Sequence, residues 1–174
     1  MTESTPPDRP TVPTVGSKRD LLESWLDWHR TTLLIKVAGL NGEQLCARSC
    51  PPSTLSLLGL VRHLAEVERD WFVGRWLPGV SEIYCTPDDR EADFERTDPA
   101  QAQADLKIYQ QEVTAARTEA ARHQLDDVTE SGSAEGAPRR ISLRWIYLHL
   151  IEEYARHNGH ADLLREAVDG AAGY

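Results

Sequence analysis

His149 to Glu166 reads HLIEEYARHNGHADLLRE. On a helix turning about 100° per residue, Ile146, Leu150, Leu164 and Val168 share one side, and Glu153 and His157 fall among them. That spacing predicts a long amphipathic helix from about Ile141 to Val168, with Gly170 just behind it. It also sets a physical problem. A carboxylate placed unpaired in a core is strongly unfavourable even after relaxation, and a cation would remove that cost. Glu153 and His157 are four residues apart, the natural spacing for two ligands offered to one ion by one helix. His149 and His160 lie about 16 Å apart along such a helix axis, so both cannot touch the same ion.

Three further helices are expected upstream. Ser17-x-x-Asp20 is a capping pattern before Leu21, Leu22, Trp25 and Leu26, opening a first helix that runs to about Ala38 with Gly39 as its stop. Residues 39–52 read as a loop. Ser53 or Thr54 is placed to cap a second helix, with Leu57, Leu60, Leu64, Val67 and Trp71 as its apolar stripe. Residues 74–97 form a long, acidic, irregular connection of the kind that often covers a site. Asp98-Pro99 is a cap followed by a proline at the first helical position, and opens a third helix carrying Leu106, Tyr109, Val113 and Ala116 to about His123. SGSAEGAPRR, 131–140, reads as a flexible turn, and no segment shows strand alternation. The expectation is an all-α protein: a disordered tail over residues 1–16, then one four-helix-bundle domain over 17–174 with long loops.

Composition narrows the function classes. The chain has 174 residues and a formal net charge of −9 without a basic patch, which argues against nucleic-acid binding. It has no apolar run of about 18 residues, so no transmembrane helix is expected. Its polar, proline-rich start lacks the apolar core of a signal peptide. Cys46, Cys50 and Cys85 are an odd set, read as reduced loop thiols of a cytoplasmic protein. Cys46-x-x-x-Cys50 lacks a second pair to complete a four-ligand site. The expected partner is a small-molecule substrate, and a homodimer is left open.

A third ligand must come from another helix. His63 sits beside Leu60, Leu64 and Val67, on the apolar stripe of the second helix. His63, Glu153 and His157 make two imidazoles and a carboxylate, and three protein ligands leave a position open for water or substrate. Zinc, nickel and ferrous iron all accept such a set. A plain hydrogen-bonded Glu153–His157 pair on a partly wet face fits the spacing equally well. His29, His123 and His149 read as structural or solvent-facing. Glu66 and Glu68 read as a solvated face, although Glu66 lies one turn from His63 and is a candidate to hold its ring. Trp25, Trp28, Trp71 and Trp145 read as core, with some rings expected above the ion. The chain lacks the paired Glu-x-x-His motifs of a di-iron bundle.

The stretches LLGLVRHLAEVERDWF (57–72) and HLIEEYARHNGHADLLRE (149–166) resemble the DinB-like superfamily of four-helix metalloproteins. The resemblance spans roughly residues 17–169. The nearest subgroup is tied to mycothiol-making bacteria and related to mycothiol-dependent S-transferases and maleylpyruvate isomerase. His63 matches the first ligand of that family, and His157, followed by Asn158-Gly159, matches the last. Glu153 stands where most relatives carry His, a departure shared with the isomerase branch. His160 stands where many carry Gln, and is a candidate to orient the ligands or touch substrate. The resemblance implies a metal-dependent transferase of a low-molecular-weight thiol, mycothiol foremost, to small electrophiles, with zinc as the leading ion. Arg144 and Arg156 are candidates for a substrate carboxylate, though both also read as ordinary surface arginines. Two other classes share the same ligands: a metal-dependent hydrolase of a small amide or ester, and a non-catalytic metal-binding or dimerising bundle.

Overall fold

Ser17 caps the first helix as its spacing predicts: its hydroxyl accepts from the Asp20 N–H and the Asp20 carboxylate accepts from the Ser17 N–H. This computed structural model describes residues 7–133 and 136–172; for 131–133 and 136–138 only the backbone is described. Residues 1–6 of the expected tail lie outside it. Residues 7–16 form no helix or strand, and the Arg9 guanidinium sits 4.8 Å over the Trp28 ring.

The helices are α1 (Lys18–Val37), α2 (Gly42–Cys46), α3 (Leu57–Glu68), α4 (Ala92–Glu95), α5 (Ala102–Ala120) and α6 (Leu143–Asp169). A π-helical stretch, Arg69–Gly74, extends α3, and a 3-10 turn, Pro99–Gln101, precedes α5. The bundle is formed by α1, α3, α5 and α6. Leu26 and Leu33 of α1, Leu60 and Leu64 of α3, and Ile146 and Leu150 of α6 are fully buried. Each such side chain contributes about 1.5–3 kcal/mol by leaving water.

Side-chain pairs fix the helix directions. Tyr147 donates to Glu23, Asn158 to the His29 carbonyl and Arg165 to the Lys36 carbonyl, so α1 and α6 run parallel. Arg62 pairs with Asp105, Arg69 with Glu112, and Trp76 stacks on His123, so α3 and α5 also run parallel. Parallel neighbours need a connection that returns the length of the bundle. Residues 75–98 are that crossover.

One buried network ties all four bundle helices together. Arg30 of α1 donates from Nε and Nη2 to the two oxygens of Glu68 of α3, at 2.7 and 2.6 Å. The Tyr154 hydroxyl of α6 donates to Glu68 at 2.7 Å and lies 3.0 Å from the Tyr109 hydroxyl of α5. Glu68 is therefore not on a solvated face. Its side chain is fully buried, because Arg30 brings the charge that makes burial tolerable. Glu66 is buried as well: its Oε1 accepts the N–H groups of Ile83, Tyr84 and Cys85, at 2.8, 2.5 and 3.0 Å.

Other expectations are corrected locally. The loop 39–52 contains α2, capped by Asn41. The cap of α3 is Ser56, whose hydroxyl accepts from Gly59, while the Ser53 hydroxyl accepts from Leu55. The irregular connection contains α4. Of the stretch read as a flexible turn, 134 and 135 lie outside the described residues. The flanks form an antiparallel pair, β1 (Val128–Ser133) and β2 (Gly136–Ser142), with Thr129 opposite the buried Ile141. Trp25 is not core: it is 46% exposed. Trp71 and Trp145 are half-buried against the core, packed on each other and on His149.

Candidate metal centre

Three side chains meet where the apolar stripes of α3 and α6 face each other. The hydrophobic face of α3 turns His63 inward, and that of α6 turns Glu153 and His157 inward one turn apart. Glu153 Oε1 lies 3.3 Å from His63 Nε2 and 3.2 Å from His157 Nε2. One donor atom from each residue lies within 4.8 Å of the other two. Glu153 and His157 are buried, and the His63 side chain keeps 19% exposure, so the cluster opens outward on its side.

The far side of each ring is occupied. His63 Nδ1 lies 2.8 Å from Asp93 Oδ2, and His157 Nδ1 lies 3.3 Å from His160 Nδ1. A carboxylate holds a proton on His63 Nδ1, and a second imidazole can hold one on His157 Nδ1. Both Nε2 lone pairs then converge on the Glu153 carboxylate, a set of acceptors with no hydrogen between them. Such an arrangement needs a cation or an added proton.

The electrostatics agree. Burial alone would lower the His63 pKa, but its contacts with Asp93 and Glu153 carry it above the ordinary histidine value. Burial, and then the charge of His63, push His157 down to about 4. Burial would raise both carboxylates, yet His63 holds Asp93 below its usual range, and His63, His157 and Arg156 do the same for Glu153. Both carboxylates are thus favoured as anions beside His63, and His157 is disfavoured as a cation.

Asp93 and Phe94 are the residues that the sequence reading missed. Both belong to α4. The Phe94 ring stacks on His63, with centroids 4.3 Å apart and planes at 23°, and lies 6.0 Å from His157. A Cβ on Gly59, one turn before His63, would come within 2.9 Å of the Phe94 carbonyl, so α4 approaches α3 this closely because residue 59 has no side chain. The sequence marks them only as an Asp-Phe pair inside a long acidic connection. Glu66, the candidate holder of His63, instead binds the crossover backbone.

Among the remaining candidates, His160 touches the cluster through His157 alone. His149 is stacked on Trp145, His123 on Trp76, and His29 packs edge-on against Trp28. Among the described residues the ring contacts of His63 and His157 include no tryptophan, and Phe94 stands where those rings were expected. Arg156 Nη1 donates to Glu153 Oε2 at 2.9 Å and its Nη2 pairs with Glu152. Arg144 pairs with Asp126 at 2.6 Å, away from the site. Cys46, Cys50 and Cys85 are free thiols. No helix among the described residues is long and apolar enough to cross a membrane.

Comparison with known proteins adds identity to this geometry. The sequence profile of the mycothiol-S-transferase family matches residues 21–170. A crystal structure described as the conserved protein of locus from Enterococcus faecalis superposes with a TM-score of 0.59 at 16% sequence identity, covering 90% of this chain and 100% of that one. At that identity the likeness is one of fold. No curated protein matches the chain.

Proposed function

Because this chain belongs to the mycothiol-S-transferase family, we propose that it transfers the thiol of mycothiol to a small electrophile at a divalent cation held by His63, Glu153 and His157. The observation that supports this reading is the convergence of three donor atoms from two helices within 4.8 Å. Two imidazoles and one carboxylate suit zinc, and nickel and ferrous iron accept the same set. When bound, such a cation supplies the charge that lets a thiol ionise at neutral pH, below its free pKa of about 8.5.

The chain's own residues do the rest. Arg156 takes the outer oxygen of Glu153, leaving Oε1 turned toward the two imidazoles. Phe94 covers one face of His63 and presents an apolar wall to an electrophile. His160 meets His157 on the side away from Glu153 and steadies that ring. Three protein donors would leave a position at the cation open to a thiol, beside the Phe94 ring.

Metal analysis beside a mycothiol-conjugation assay tests the reading. Purified protein should carry about one ion per chain, as three ligands with an open position imply. Mycothiol consumption over a panel of alkyl halides, epoxides and unsaturated carbonyls should require metal, and His63→Ala should reduce it by orders of magnitude. A metal-loaded protein that consumes no thiol but cleaves an amide or ester is a hydrolase instead. One that does neither is a binding bundle.

A further inference from the structure

We infer that Asp93, delivered by the crossover from outside the four-helix bundle, is a positioning residue of the metal centre: it fixes the His63 ring so that Nε2, and not Nδ1, faces Glu153 and His157. This rests on the metal reading given above. The Asp93 side chain is 6% exposed and its two carboxylate oxygens have different partners. Oδ1 accepts the Phe94 N–H at 2.9 Å, and Oδ2 lies 2.8 Å from His63 Nδ1. Asp93 does not cap α4, whose N-terminus has Glu91 ahead of it and no side-chain cap. The bond to Phe94 accounts for one oxygen, the other lies against the imidazole, and the Cys85 thiol is a further, weaker partner of the carboxylate.

The surroundings hold Asp93 to this task. Arg62, the residue before His63, is buried. It donates from Nε to the Asp93 carbonyl at 2.9 Å and from Nη2 to the Ala92 carbonyl at 3.0 Å. Its third branch pairs with Asp105, and the guanidinium lies 3.8 Å over the Tyr84 ring. Phe94 stacks on the same imidazole that Asp93 bonds. The backbone of α4 is thus fixed to α3 on one side of His63, and two consecutive α4 side chains grip the ring by its edge and its face. A histidine held this way enters a metal site with its tautomer and orientation already set. Loss of such a partner weakens metal binding by about 10- to 100-fold.

The test uses the full-length protein and Zn2+. Affinity is measured by competition with a chelator for the parent, Asp93→Ala, Asp93→Asn and His63→Ala. Histidine 15N NMR of the zinc-loaded protein reports which nitrogen of His63 carries the proton. Asp93→Ala should bind zinc about 10- to 100-fold more weakly, and Asp93→Asn, which keeps an oxygen acceptor without the charge, should fall between it and the parent. The Nδ1 proton of His63 should be protected from exchange in the parent and exchange rapidly in Asp93→Ala. If both Asp93 variants bind zinc as the parent does, the positioning role is overturned while the metal reading stands. If the parent binds no zinc, or binds it no better than His63→Ala does, the metal reading itself fails. Should Asp93→Ala not fold, the isosteric Asn variant decides: parental affinity with an unchanged His63 proton overturns the role, and weakened affinity supports it.

Discussion

Replacing Glu68 by Gln tests whether the network that joins all four bundle helices holds the fold as its geometry implies. Glu68 receives three charge-assisted bonds, two from Arg30 and one from Tyr154, all at 2.6 to 2.7 Å and away from solvent. Glutamine keeps one oxygen but turns an NH2 group toward an Arg30 donor. One charged bond is lost, and a buried guanidinium is left with Asp27, 2.9 Å from Nη1, as its remaining carboxylate. Breaking one side of a buried ion pair costs about 3–5 kcal/mol. For a chain of this size each kcal/mol moves Tm by roughly 2–4 °C, so a fall on the order of 10 °C is expected. Urea unfolding with a double-mutant cycle is the assay. Arg30→Met and Glu68→Leu should each be costly alone, and the double variant should recover a large part of the summed loss, because it removes both charges at once. A loss below about 1 kcal/mol for Glu68→Gln, the range of an exposed pair, would refute the reasoning. So would a double variant no better than the sum of the singles.

Three further outcomes are expected. Zinc at about 1,000 times its dissociation constant should stabilise the protein by about 4 kcal/mol through mass action, and His157→Ala should abolish most of the accompanying rise in Tm. Glu66→Ala leaves three backbone N–H groups without their buried acceptor; hydrogen exchange at Ile83, Tyr84 and Cys85 should accelerate, while exchange in α1 stays as it was. Burial between Trp71 and Trp145 keeps the pKa of His149 below its free value. Below about pH 6.5 the unfolded chain takes up a proton there that the fold resists. Stability should therefore fall as pH drops through that window toward the folded pKa. His149→Phe, which keeps an aromatic ring, should show a smaller loss between pH 7.5 and 5.5; an equal loss would assign the effect to other groups.

What could be read from the sequence was what neighbouring residues decide. Ser17 with Asp20 makes its own cap, and the apolar stripes around His63 and around Glu153 and His157 turn these residues inward by periodicity alone. What could not be read depended on distant partners. Glu68 looks solvated until Arg30, thirty-eight residues earlier, supplies its counter-charge. The sequence places the cap at Ser53 or Thr54, and the path of the chain puts it at Ser56. The hairpin is largely polar in sequence, and among its described side chains Ile141 is the buried one, so alternation could not reveal it. Asp93 carries no periodic signal, because its place beside His63 is set by Arg62 and by the missing side chain at Gly59.

The crossover has more chain than its route requires. Returning along the length of α3 and its π-helical extension covers about 27 Å at 1.5 Å per residue, a distance that roughly eight extended residues would span. About two dozen lie between Gly74 and Pro99. The surplus is spent on α4 and on the turns that Glu66 pins, laid across the opening beside His63. Two of the proposed donors belong to α6 and one to α3, but the ring stacked on His63, Phe94, belongs to a segment outside the four bundle helices. Length and composition can drift between Leu77 and Glu82, where the chain is exposed, without disturbing α3, α5 or α6. Under the function proposed above, substrate preference could therefore evolve in this segment separately from the scaffold, with the metal ligands kept on the helices and the selection carried by spare rope.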